Sequence, residues 1–205
     1  MKKLLIAFFL IINVFSVSYK IHYYPESIRI NDVNINKFLE VSKVPKIRIV
    51  IIEAENINQF TQLTKKEYTY YSAVTTKHRD EYIIITQPFH ILKQRNIFED
   101  TIEHEIFHVY FNNFYNLSKI QQESLIHYFT DERPDEYFYN AYYKRFLKDL
   151  ENFGFNIFKY LNHYKKWRED NSSLHFFIAL DAASKLMSQT GEKGGEYGKS
   201  KLFKS

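Results

Sequence analysis

The sequence predicts an α+β fold, a small mixed sheet in the N-terminal part followed by a helical lobe, and three observations carry that prediction. Residues 46–53 read Lys-Ile-Arg-Ile-Val-Ile-Ile-Glu, a β-branched run of the kind that forms a strand covered on both faces. Two more strand-like runs, 68–76 and 81–86, flank the polar segment Lys77-His78-Arg79-Asp80, which has the composition and length of a hairpin link. Beyond Pro88 the apolar residues stop alternating and recur at helical spacing.

Composition narrows the classes. The 205 residues are 45% hydrophobic and 18% aromatic, enough to bury one sizeable core. The formal net charge is +4, it falls by two without Lys2 and Lys3, and the lysines are spread along helices, so no nucleic-acid partner is expected. There is no cysteine, which excludes disulfides and thiolate ligands. Any metal site must therefore be built from histidine and carboxylate. No internal repeat is present.

Residues 1–18 open with Lys2 and Lys3, continue as an apolar run from Leu4 to Phe15 and end in small residues at Ser16 and Ser18. That order is the pattern of a secretory signal peptide cut after Ser18, with an uncleaved N-terminal anchor as the alternative. The expected location is secreted or in the cell envelope or periplasm, with no membrane contact after cleavage. Residues 19–30 suggest a strand and then a turn at Pro25. A helix over 34–43 follows, with Ile35, Phe38, Leu39 and Ser42 at helical spacing and Pro45 as its stop. After the buried strand comes a short helix at 56–63, then the hairpin, which Gln87 and Pro88 close. A short connection leads to the next helix.

That helix carries His104-Glu105-Ile106-Phe107-His108. Residues four apart in a helix lie nearly one above the other, so His104 and His108 can aim two imidazoles at one metal ion. Glu105 stands one step round, where a carboxylate can take a proton from water. Asp100, with Glu103 three residues on, reads as the N-terminal cap, and Ile102, Ile106, Val109 and Tyr110 form the apolar stripe of a helix ending near Asn113. Ser118 and Gln121 form a second capping box. The helix it starts has Ile120, Leu125, Ile126 and Phe129 as its buried side, with Glu123 close to that face. A carboxylate near a core needs a partner, and a divalent cation is one of few good ones.

Further on, Pro134 starts an amphipathic helix to about Asn152, Gly154 breaks it, residues 156–167 continue, and Ser172 or Ser173 caps a last helix reaching Met187. Residues 191–205 read as a mobile basic tail, leaving 19–190 as one domain. His78, His127, His163 and His175 are expected to be solvated or packing residues.

The two motifs together resemble the gluzincin metallopeptidases, and among them the small peptidase-MA-like domains. The match lies in His-Glu-Ile-Phe-His and in Glu123-Ser124-Leu125-Ile126-His127-Tyr128, which is similar to a family Glu-Gly-Leu-Ala-x-Tyr. Leu125 and Tyr128 keep the pattern, while Ser124 and Ile126 replace Gly and Ala. The resemblance implies a zincin-like fold, a single Zn2+ held by His104, His108 and Glu123, Glu105 as general base, and a peptide or protein substrate. It also implies an oxyanion donor from the C-terminal lobe, for which Tyr139, Tyr142 and Tyr143 are the candidates. One departure is chemical: where several gluzincins place a carboxylate that orients a zinc-bound histidine, this chain has His127. The expected function is a secreted zinc-dependent peptidase, with a non-catalytic binding or scaffold protein on the same fold as the alternative.

Overall fold

Strand β2 (Ile49–Ala54) is buried at all six positions, as a β-branched run without polar alternation requires. The computed structural model describes residues 19–78, 81–131, 136 and 139–166. Strand β1 (Tyr19–Tyr24) pairs antiparallel with β2, Tyr19 opposite Ala54. On the other side of β2 lies the parallel strand β4 (Glu81–Thr86), with Ile51 opposite Ile84. Strand β3 (Ala73–His78) is antiparallel to β4 and outermost, giving the order β1-β2-β4-β3. The sheet is therefore mixed, and the α+β prediction holds.

Period-two alternation divides the sheet between two cores. Val50, Ile52, Ile83 and Ile85 face Phe60 of a short helix, α2 (Ile57–Thr64), which is capped by Asn56 accepting from the Gln59 amide. Ile49, Ile51 and Ile84 face the larger core. This core is shared by α1 (Val33–Ser42), α4 (Phe98–Phe114), α5 (Lys119–Thr130), α6 (Lys144–Glu151) and α7 (Ile157–Tyr164). Phe38 of α1 sits at its middle. Its ring lies 5.4–5.6 Å from those of Phe107, Tyr110 and Phe111 on α4 and Phe129 on α5, all edge-on. Edge-to-face aromatic pairs add roughly 0.5–1.5 kcal/mol each beyond area burial, so this ring fixes the two helices against one another.

Several boundaries differ from expectation. The short connection before α4 is itself helical, α3 (Phe89–Gln94), and its Phe89 amide donates to the buried Glu53 carboxylate at 3.0 Å. Helix α4 starts at Phe98 after Ile97 with no side-chain cap, so Asp100 is not a cap; it lies with Glu99 inside the first turn, where negative charge favours the helix dipole. Residues 68–72 do not continue β3. The amides of Tyr70 and Tyr71 both donate to the Glu67 carbonyl, and the side chain of Gln87 binds the carbonyls of Tyr68 and Tyr71, so this backbone is committed to a turn instead of a ladder. The hairpin pairs instead as far as His78 opposite Glu81. The capping box of α5 is present as expected, whereas Ile120 is exposed rather than buried. Helix α6 is entered through a π-helical turn, Tyr139–Tyr143, and Gly154 ends the segment with φ +62°. The expectations for residues 1–18, for the Pro134 start, for the helix after Ser172 with His175, and for the 191–205 tail lie outside the described residues.

Candidate metal centre

Helix α4 is wrapped by protein on nearly every side: Ile102, Ile106, Phe107, Val109, Tyr110 and Phe111 are all buried. Its orientation is therefore fixed by packing, and the four-residue spacing carries His104 and His108 together toward α5, with ring centroids 4.9 Å apart. Helix α5 answers with Glu123. Its Oε2 lies 3.3 Å from His104 Nε2, its Oε1 lies 3.3 Å from His108 Nε2, and the two imidazole Nε2 atoms are 3.2 Å apart. Among the described residues, this is the group of histidine and carboxylate side chains whose geometry can hold a metal ion.

The separations test the fit. Tetrahedral ligands about 2.0–2.2 Å from one ion lie about 3.3–3.6 Å from each other; the two Nε2 atoms, at 3.2 Å, sit just inside that spacing, and each lies 3.3 Å from a different oxygen of the one carboxylate. Two imidazoles and one carboxylate are also a common catalytic zinc donor set. The three residues present fit a single divalent ion. The His104 side chain remains 31% exposed, which leaves the cluster open to solvent on that side.

The charges respond to this crowding. Burial opposes ionisation of Glu123, but the hydrogen bonds and charge of His104 and His108 outweigh it and hold the carboxyl well below the usual range. Burial likewise opposes the charged form of His108. The Glu123 hydrogen bond, the charges of Glu105 and Glu123 and the Gln122 hydrogen bond overcome that and raise its pKa.

Two partners completing the site were not foreseen. His108 Nδ1 lies 2.8 Å from Gln122 Oε1, and the Gln122 amide nitrogen is in turn held by Asn112 Oδ1 and the Leu117 carbonyl. Those two acceptors fix which end of the amide faces His108, so Nδ1 carries the proton and Nε2 is turned to the cluster. The partner behind His108 is thus Gln122, not residue 127, where the half-buried His127 stands in place of the carboxylate that the resemblance leads one to expect. The second partner is Thr75 on β3, whose hydroxyl donates to Glu105 Oε2 at 2.6 Å. Glu105 is buried and close enough to His108 to favour its charged form.

No family model, curated protein or solved structure matches this chain. The candidate residues therefore stand on geometry. His104, His108, Glu123 and Glu105 are brought together. Tyr139 and Tyr143 pair at 5.9 Å, and Tyr143 packs on Phe146 beside Tyr128 and Asp131. Asp131 is eight residues beyond Glu123, about 12 Å along the helix axis, so these two phenols gather near the far end of α5. Tyr142 is half-buried on the same turn. His163 packs against the rings of Phe153, tilted, and Tyr164, edge-on, in keeping with a packing role.

Proposed function

We propose that the chain is an exported zinc-dependent peptidase of gluzincin type, in which His104, His108 and Glu123 hold one Zn2+ and Glu105 is the general base. The observation that carries this reading is the convergence of two imidazole Nε2 atoms, 3.2 Å apart, on the two oxygens of one carboxylate at 3.3 Å each, beside an additional, buried carboxylate that is not among them. A structural site has no use for such a base. When bound, zinc supplies a Lewis acid that polarises a peptide carbonyl and makes water a nucleophile near neutral pH.

The chain's own residues do the rest. Gln122 sets the His108 tautomer so that Nε2 is free to ligate. Thr75 occupies Glu105 Oε2, so the proton of the attacking water goes to Oε1 and is passed on to the leaving amine. The same Thr75 belongs to β3, one of the two edge strands, whose outer backbone groups can hold an extended peptide alongside the base. Tyr139, Tyr142 and Tyr143 are the phenols of the C-terminal lobe, but Tyr139 and Tyr143 gather near the far end of α5 and would have to move toward the cluster to donate to an oxyanion beside Glu105; burial raises the Tyr143 pKa. The leader-like residues 1–18 would direct export. Among the described residues no helix is long and apolar enough to cross a membrane.

One observation favours a second reading, a metal-free binding protein: the same distances also suit a His–Glu–His hydrogen-bond cluster. Metal analysis of the full chain and of Glu105→Gln, with casein hydrolysis by both, separates the two. The peptidase reading expects bound zinc in both and a loss of about 10²–10⁴-fold in hydrolysis for the variant. Absence of bound zinc, or equal inertness of the two zinc-loaded forms over a broad peptide panel, overturns it.

A further inference from the structure

The segment 65–72 between α2 and β3 displays three tyrosines on a backbone that is firmly held. Tyr70 is 79% exposed, Tyr68 48% and Tyr71 37%. Beneath them Gln87, itself only 1% exposed, donates from Nε2 to the carbonyls of Tyr68 and Tyr71 at 2.9 and 2.7 Å, and its backbone amide donates to the Ser72 carbonyl. A fully buried amide thus fixes the backbone on which the three exposed aromatic residues stand. Beside the loop lies a cleft of about 480 Å³, lined by Asn58, Thr61 and Gln62 from one face of α2 and by Glu67, Tyr68 and Thr69. Its walls combine an aromatic surface with amide, hydroxyl and carboxylate groups, and Lys66 lies over the neighbouring Tyr71 ring, 5.3 Å from its centroid.

Position decides what this surface is for. The loop runs directly into β3 through Ser72, and β3 is the edge strand whose Thr75 touches Glu105. Tyr71 is four residues before Thr75, no more than about 14 Å away even with the chain fully extended. An extended peptide laid along the outer edge of β3, with its scissile bond beside Glu105, arrives at the tyrosines after roughly three to five residues at the 3.3 Å rise of a strand; the cleft lies on the α2 face of the sheet and Glu105 on the α4 face, so the side chains that enter it are those an odd number of positions from the one beside Thr75. We infer that the 65–72 loop and its cleft form a distal subsite for extended polypeptide, in which Tyr68, Tyr70 and Tyr71 grip an aromatic or aliphatic side chain about three to five residues from the bond cut. This rests on the peptidase reading for the position of the scissile bond. The subsite makes the protein selective for unfolded or extended chains over very short peptides. An oligosaccharide also suits tyrosine and amide walls, but nothing carries a sugar from this cleft to the base, whereas β3 carries a polypeptide there.

The test uses the full chain and overlapping synthetic 5-residue and 12-residue peptides that cover denatured casein. The combined variant Tyr68→Ala, Tyr70→Ala, Tyr71→Ala alters only exposed side chains, and its fold is checked by circular dichroism and melting. Wild type is expected to favour the best 12-residue peptides over their 5-residue cores by about tenfold in kcat/KM, through KM. In the variant that preference falls to near unity. A length preference that survives the triple substitution overturns the subsite. If wild type cuts none of the series, the peptidase reading fails by itself. Fluorescence anisotropy with labelled 12-residue peptides then still decides the subsite, since binding must weaken about tenfold in the variant, and unchanged binding or none overturns it. Tight binding of maltoheptaose or chitohexaose with no peptide binding reassigns the cleft to carbohydrate.

Discussion

His108 Nδ1 and Gln122 Oε1 are 2.8 Å apart, and this contact joins the two helices that supply the candidate metal ligands one residue away from the third of them, Glu123. Removing it frees the imidazole to rotate and to change tautomer. Gln122→Leu is expected to weaken zinc binding about 10- to 100-fold, as loss of a partner behind a ligating histidine typically does, and Gln122→Glu to restore most of it. Competition with a chromophoric chelator measures both, and equal affinity in all three proteins would remove Gln122 from the site.

Thr75 is expected to act on the base rather than on the metal. Thr75→Val keeps the shape but loses the donor to Glu105 Oε2, so kcat should drop about tenfold with zinc affinity unchanged, and Thr75→Ser should recover it. A lower kcat that Thr75→Ser fails to rescue would point to strand packing instead.

The metal should bind less well in acid, and the sign follows from the two shifted groups. His108 is raised above 6.5, so in the metal-free chain its contribution to stability is full below that value and lost as pH rises through the folded pKa. Glu123 is lowered from 4.5, so its contribution is present above that value and lost as pH falls through the folded pKa. The metal-free cluster is thus best satisfied between 4.5 and 6.5, with a proton on His108 that a metal must displace. The rise in melting temperature on adding zinc is expected to grow from about pH 6 to pH 8. A zinc-induced rise that stays flat or shrinks over that range would exclude His108 as a ligand.

Phe38 packs not on the candidate ligands or Glu105 but on the aromatic rings of both helices that carry the cluster. Phe38→Ala should destabilise the fold by about 3–5 kcal/mol, read as a lower urea midpoint at unchanged slope. A cost below about 1 kcal/mol would mean that α1 is not part of the cooperative core.

Much of the metal centre was legible because its signals are short-range. The His104–His108 spacing, the Ser118–Gln121 capping box and the β-branched run of β2 each depend on residues within a turn or a strand of one another. The errors have the same origin reversed. The tyrosines at 68–71 have strand propensity, but a glutamine from beyond the next hairpin takes their carbonyls. Asp100 has cap chemistry, but helix α4 is started earlier by the packing of Phe98 on Phe89.

By itself the amino-acid order determined that two imidazoles share one helix face, that a carboxylate waits on the following helix, and that no thiol competes with them. Tertiary structure alone decided that Glu123 turns toward the imidazoles, that Gln122 and Thr75 rather than residue 127 brace the site, and that β3 is the open edge beside the base. Backbone periodicity and capping are local hydrogen-bond rules written in neighbouring residues, whereas the meeting of α4 with α5 and β3 depends on how a shared aromatic core fills space, which no spacing encodes.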